Sequence, residues 1–143
     1  MMTYTRRQTI ALGLAATAAA LLPLRAFAAE GDIPMVGEMD EFLNGAEAGE
    51  GDITLNAPEI AENGNTVPIA VDAPGAAEIR VYALGNPVPS VASFKFGPLA
   101  ASNSASTRIR LARTQDVVAV AKMPDGSFIQ DLRTVKVTIG GCG

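Results

Sequence analysis

A chain of 143 residues with 48% hydrophobic residues and a formal net charge of −4 has room for one compact core, and one domain is the default expectation. It contains no histidine and a single cysteine. These absences exclude Ser-His-Asp and Cys-His nucleophiles, an internal disulfide and a blue-copper site, and they remove the commonest ligand of zinc, copper and iron.

Residues 1–28 read as a cleaved export signal. Arg6 and Arg7 open a positively charged stretch, Ile10 to Leu24 form an apolar run, and Ala26-Phe27-Ala28 offers the small residues a signal peptidase requires. The run is 15 residues long, short of the roughly 20 needed to span a bilayer as a helix. Thr5-Arg6-Arg7-Gln8 is like a twin-arginine signal, although Thr9 stands where that signal usually carries phenylalanine. An ordinary secretory signal is the alternative, and both lead out of the cytoplasm.

Cleavage removes Arg6, Arg7 and Arg25 but no acid, which takes the net charge from −4 to −7. Twelve acids and no base lie between Ala29 and Glu78, whereas Ile79 to Gly143 hold eight bases and three acids. Such a protein is a poor partner for nucleic acid or anionic lipid, which are themselves negative. Solubility is sufficient reason for the acidic front half.

Apolar residues at Val36, Met39, Leu43 and Ala46 predict one short amphipathic helix over Met35 to Ala46, with Phe42 beside the stripe. From there the period falls to two. Val67, Ile69 and Val71 alternate within Thr66–Asp72. Ile79, Val81 and Ala83 share a face of Glu78–Leu84, with Arg80 and Tyr82 opposite. Phe94 and Phe96 lie on one side of Val91–Phe96. Ile109 and Leu111 point inward from Thr107–Leu111, with Arg108 and Arg110 outward. Val117–Met123 is continuously apolar, as a central strand is, and Thr134–Ile139 alternates again around Val135, Val137 and Ile139. Turn formers separate these runs, and Asp125-Gly126 is the best hairpin signal. The pattern predicts an all-β antiparallel sandwich over residues 29–139, preceded by its helix and followed by a C-terminal arm over residues 140–143.

Cys142 is penultimate and follows Gly140-Gly141. Burying that tail would gain little apolar contact and cost much backbone entropy. The cysteine is therefore expected to be an exposed, functional thiol. Gly140, Gly141 and Gly143 form a thin arm, able to enter a channel closed to the globular body. A tail of four residues reaches ~13–14 Å at full extension. A substrate held covalently on Cys142 need not be recaptured between successive enzymes. The nearby terminal carboxylate disfavours the thiolate, so attack is expected to wait for a pocket that stabilises it.

Three stretches together resemble the SoxY family, the carrier subunits of the bacterial sulfur-oxidising Sox system. They are Ala57-Pro58-Glu59-Ile60-Ala61-Glu62-Asn63-Gly64-Asn65-Thr66-Val67-Pro68, Ser106-Thr107-Arg108-Ile109-Arg110-Leu111-Ala112 and Val135-Lys136-Val137-Thr138-Ile139-Gly140-Gly141-Cys142-Gly143. The family pattern ends Gly-Gly-Cys-Gly-Gly, and this chain has one glycine after the cysteine. The resemblance implies an immunoglobulin-like sandwich, a periplasmic location, and a heterodimer with a second β subunit, SoxZ. It also implies a cycle on Cys142. SoxAX, a haem enzyme, joins thiosulfate to the thiol, SoxB releases sulfate by hydrolysis, and SoxCD oxidises the remaining persulfide sulfur before a second hydrolysis. On that expectation the chain is a sulfur carrier and not an enzyme, and it needs no cofactor or metal of its own. The rivals are a structural β domain cross-linked to another chain through Cys142, and a thiol enzyme complete in itself. Arg108, Arg110 and Arg113 could bind a sulfur oxyanion, but for the first two a solvent-facing strand is the simpler explanation.

Overall fold

The computed structural model describes residues 37–138 of the chain. The expected export signal, the arm glycines and Cys142 lie outside the described residues, as do residues 29–36 and Ile139. Helix α1 (Gly37–Leu43) comes first, followed by the short pieces β1 (Ala48–Gly49), β2 (Thr54–Asn56) and β3 (Ile60–Ala61). The longer strands are β4 (Val67–Asp72), β5 (Glu78–Ala83), β6 (Ser90–Lys95), β7 (Ser104–Ile109), β8 (Gln115–Lys122) and β9 (Phe128–Val137).

One sheet runs β9-β8-β5-β6, with β1 and β3 both on the outer edge of β9; the other runs β2-β4-β7. The two form an immunoglobulin-like sandwich. Its core draws Leu55, Val67, Ile69 and Val71 from the smaller sheet, and Ile79, Val81, Val117, Ala119 and Val135 from the larger. These are the inward positions of the period-two runs, so alternation in the sequence sets the sandwich interior. The hairpin expected at Asp125-Gly126 joins β8 to β9, with Lys122 opposite Phe128. Both the backbone N–H and the hydroxyl of Ser127 donate to the Asp125 carboxylate, which holds its pKa below the usual range.

The helix is shorter than the Met35–Ala46 expectation, and it lays Met39 and Leu43 into a second apolar layer on the far face of the larger sheet. Phe42 meets Phe128 edge to face at 5.3 Å, and the Arg80 guanidinium stands 4.1 Å from the Phe42 ring centre. The Glu38 carboxylate accepts the Ser90 N–H at 3.1 Å, which ties the helix to β6. With both faces of the sheet covered, β8 is buried on both sides from Val117 to Ala121.

This second layer adds what alternation does not show. Tyr82, read as lying with Arg80 on the face opposite Ile79 and Val81, is fully buried, because that face is covered rather than wet. Burial pushes its phenol pKa up, and the neighbouring Arg80 guanidinium pulls it the other way. The guanidinium does not reach the hydroxyl in good hydrogen-bond geometry, so among the described residues the hydroxyl has no full partner. A buried hydroxyl without a partner loses its water without compensation. Tyr82→Phe is therefore expected to leave stability unchanged or raise it by up to about 1 kcal/mol. A loss of more than about 1 kcal/mol in urea unfolding would show that the hydroxyl is bonded in solution.

Beside it, burial raises the Glu78 carboxyl pKa, but the Arg80 hydrogen bond and charge, with Lys95 and Ser93, outweigh burial and hold it below 4.5. The Arg80–Glu78 pair is 2.7 Å long and partly exposed, so its contribution is modest. A depressed carboxylate stabilises the fold above its unfolded pKa, and that stability is lost as pH falls through the folded value. Glu78→Gln should flatten the pH dependence of the melting temperature below about pH 5 and change it little near neutrality. Parallel wild-type and mutant melting curves across that range would refute the assignment.

Between α1 and β4 the chain crosses from one sheet to the other. β1 pairs in parallel with the start of β9, Ala48 against Phe128, and β3 pairs in parallel with its end, Ala61 against Val137. Between them β2 leaves to pair with β4, Leu55 against Val71. Asp131, midway along β9, accepts the Leu55 N–H at 2.8 Å and binds Arg133 at 2.8 Å, so the gap between β1 and β3 is bridged by a side chain.

Candidate functional site

Cys142, the thiol expected to be functional, stands four residues beyond Thr138, the last described residue, so the end of β9 is where the expected arm would begin. That end is held from both sides. On the β8 side the Val137 N–H donates to the Thr114 hydroxyl at 3.0 Å. On the β3 side Lys136 N–H donates to Glu59 C=O at 2.9 Å and Thr138 N–H to Ala61 C=O at 3.0 Å. The described chain therefore ends on an anchored residue.

Beside this point opens a cavity of about 940 Å³ whose walls include Glu62, Asn65, Asn86, Arg110 and Thr138. Four segments far apart in sequence meet here: the turn before β4, the loop after β5 (Asn86, Pro87 and Val88), the run after β7, and the end of β9. All but the loop after β5 belong to the three stretches that resemble the carrier family, and these three close directly on one another. A second cavity of about 650 Å³ lies against the smaller sheet, between Pro58, Pro68 and Arg108. No residue of β9 lines it, so it is not at the base of the arm.

Gly64 lets the three segments close. Leu111 N–H donates to its carbonyl at 2.7 Å, and a Cβ on Gly64 would sit 2.5 Å from the Leu111 carbonyl oxygen and 2.9 Å from Val137 Cγ1. Any other residue would push Leu111 and Val137 away.

The run after β7 is fixed by a side-chain amide. Asn86 donates from Nδ2 to the Arg110 carbonyl at 2.7 Å and accepts the Ala112 N–H on Oδ1 at 2.9 Å, as a neighbouring strand would. Asn86 is in turn held by Gln115, whose amide is itself buried. Gln115 donates to Asn86 Oδ1 and to the Arg113 carbonyl, and accepts the Gly85 N–H at 2.8 Å. All its polar atoms are used, as a buried amide requires.

Of the arginines considered from sequence, Arg108 and Arg110 do face solvent, as alternation predicts. They do not share a site. Arg108 reaches the Thr66 hydroxyl at 3.4 Å and lines the second cavity, whereas Arg110 lines the cavity at the arm. Arg113 lies against Gly85. Sequence reasoning missed Asn86 and Gln115, whose roles rest on partners some 30 residues away. The usable signal was the resemblance itself, whose three stretches converge on this end of the sandwich. Among the described residues no group of three or more His, Cys, Asp or Glu could hold a metal ion, and no helix is long and apolar enough to cross a membrane.

A family model described as sulfur oxidation protein SoxY matches residues 39–142. No curated protein matches the chain. Among solved structures, the sulfur carrier protein SoxY from Chlorobium limicola f thiosulfatophilum is similar at 36% identity and a TM-score of 0.62, covering 71% of this chain and 94% of that one. A superoxide reductase (neelaredoxin) from Ignicoccus hospitalis is similar at 16% identity and a TM-score of 0.54, covering 62% of this chain and 81% of that one. At that identity it shows a shared fold alone.

Proposed function

Because this chain belongs to the SoxY family of sulfur carriers, we propose that Cys142 is the attachment point and that the carrier works outside the cytoplasm, in the periplasm. The observation that carries this reading is that the family match runs through to Cys142, the only cysteine in the chain. The anchored end of β9 supports it, since a fixed pivot with a short glycine arm suits delivery of a thiol to several active sites.

The chemistry balances without a redox group on this chain. Thiosulfate and the Cys142 thiol form a sulfur–sulfur bond, with loss of one proton and of two electrons to a haem partner of the SoxAX kind. Water then cleaves the terminal sulfur group as sulfate plus a proton, leaving a persulfide on the cysteine, the step given to a SoxB-like hydrolase. A SoxCD-like enzyme takes six electrons from that sulfane sulfur while three waters supply its oxygens and seven protons leave, giving an S-sulfonate on the cysteine. A second hydrolysis releases sulfate and a proton and restores the thiol. The chain keeps the cargo in place between encounters, paired with a SoxZ-like β subunit.

Intact mass spectrometry of protein freshly isolated from its native compartment is expected to show sulfur-containing additions on Cys142 that a reductant removes. A homogeneous unmodified chain, unreactive to thiol reagents until denatured, would sink the carrier role for this cysteine. A permanent reductant-sensitive dimer without adducts would point to the cross-linked structural domain instead.

A further inference from the structure

We infer that Arg110 is an oxyanion-binding residue, which receives the sulfonate or sulfate-like end of a sulfur oxyanion in the cavity at the foot of the arm. The first observation is its pairing. Arg80 and Arg133 each have a carboxylate at 2.8 Å or less, whereas Arg108, Arg110 and Arg113 pair with no acid among the described residues, and of these three only Arg110 lines the cavity beside Thr138. The second is its mounting. Asn86 brackets the Arg110 and Ala112 backbone groups, and buried Gln115 fixes Asn86 and the Arg113 carbonyl. The buried end of this network, Gln115, has all its polar atoms bonded, and it pins the half-buried Asn86 in one orientation. Asn86 in turn fixes the backbone of Arg110, which lines the cavity.

Charge and reach complete the case. The chain is acidic, with every acid up to Glu78 unaccompanied by a base after the signal, so most of its surface repels an anion. Arg110 lies in the basic half, and the planar fork of a guanidinium matches tetrahedral oxyanions. Thr138 lines the same cavity, so an adduct on an arm of ~13–14 Å starts beside it. Glu62 also lines the cavity without pairing with Arg110, and its charge opposes an anion. The hold is therefore weak, as release to a partner enzyme requires.

The oxyanion has two sources, cargo tethered to Cys142, which rests on the carrier reading, and free thiosulfate or sulfate, which does not. The test labels the full chain with 15N-arginine and follows the Arg110 Nε–H resonance. In one arm Cys142 carries a chemically installed S-sulfonate or, as a neutral control, a methyl disulfide. In the other, thiosulfate and sulfate are titrated onto Cys142→Ser protein. The resonance should move with S-sulfonate and not with methyl disulfide if the source is tethered, and with the titrated anions if it is free. Arg110→Gln should speed removal of S-sulfonate by dithiothreitol, or weaken the free anion, about threefold to fivefold. Arg110→Lys should fall between, and Glu62→Gln should act in the opposite sense by a similar factor. The methyl disulfide rate should not change. A resonance that moves with neither probe, or an Arg110→Gln effect equal for both adducts, overturns the inference. Because the adducts are installed chemically, failure of the carrier reading shows separately, as missing adducts on native protein.

Discussion

Cys142→Ser is expected to abolish thiosulfate-dependent electron transfer in a reconstituted Sox system completely, while stability changes by less than about 0.5 kcal/mol. The hydroxyl cannot form the sulfur–sulfur bond that holds cargo, so no residual pathway runs through this chain. The family match ends at this residue, and the sandwich core from Leu55 to Val135 is assembled without it. Pairing with the SoxZ-like subunit should survive. Electron flow from the serine variant at a measurable fraction of the wild-type rate would remove Cys142 from the mechanism. A collapse of the melting temperature would make it a structural residue instead.

The second large effect is expected at Gly64. Its substitution by alanine would place a Cβ 2.5 Å from a backbone oxygen, which cannot rotate away as a side-chain tip can. Overpacking of this kind costs ~1–3 kcal/mol. In a domain of this size each kcal/mol lowers the melting temperature by about 4–8 °C. Valine should cost more than alanine. The displaced groups are Leu111, next to Arg110, and Val137, next to the arm, so sulfate release by the partner hydrolase should fall as well. Labelling of the thiol by a small reagent, which needs no docking, should remain at the wild-type rate. Unchanged melting for both variants would mean that the three segments do not close as described.

Alternation made the sandwich readable where one face of a strand is buried and the other wet, as in Val67–Asp72 and the Thr107–Ile109 end of β7, which begins three residues before the expected Thr107. It did not show Tyr82 as core, because wet and dry faces are a tertiary property and α1 covers the second face. The first half of β9 went unread for a related reason. Phe128, under α1, and Ile129, against Gly51, are covered from opposite sides, so Phe-Ile-Gln-Asp-Leu-Arg shows no clean period. β1, β2 and β3 are two or three residues long and owe their conformation to the strands they join, which leaves no local signal. For the proposed site, the one cysteine among terminal glycines stands out by identity and position, and it lies outside the described residues. The cavity was not legible, because its walls come from four separate segments and the Asn86 clamp exists only when the runs after β5 and β7 meet.

The crossing of residues 48–61 along β9 also bears on how the molecule avoids itself. A ten-residue strand at a sheet margin offers unpaired backbone groups to any other extended chain, and aggregation often begins at such margins. Here β1 occupies one end of that margin, β3 the other, and Asp131 puts a charge between them. What remains open is the opposite side, where β6 and β7 each have one strand neighbour. The ordinary deterrents stand there: a register irregularity where β5 meets β6, Lys95 on β6, and Arg108 on β7. The risk of unwanted strand addition is thus confined to the β6 and β7 margin, and the long β9 is closed to it at both ends.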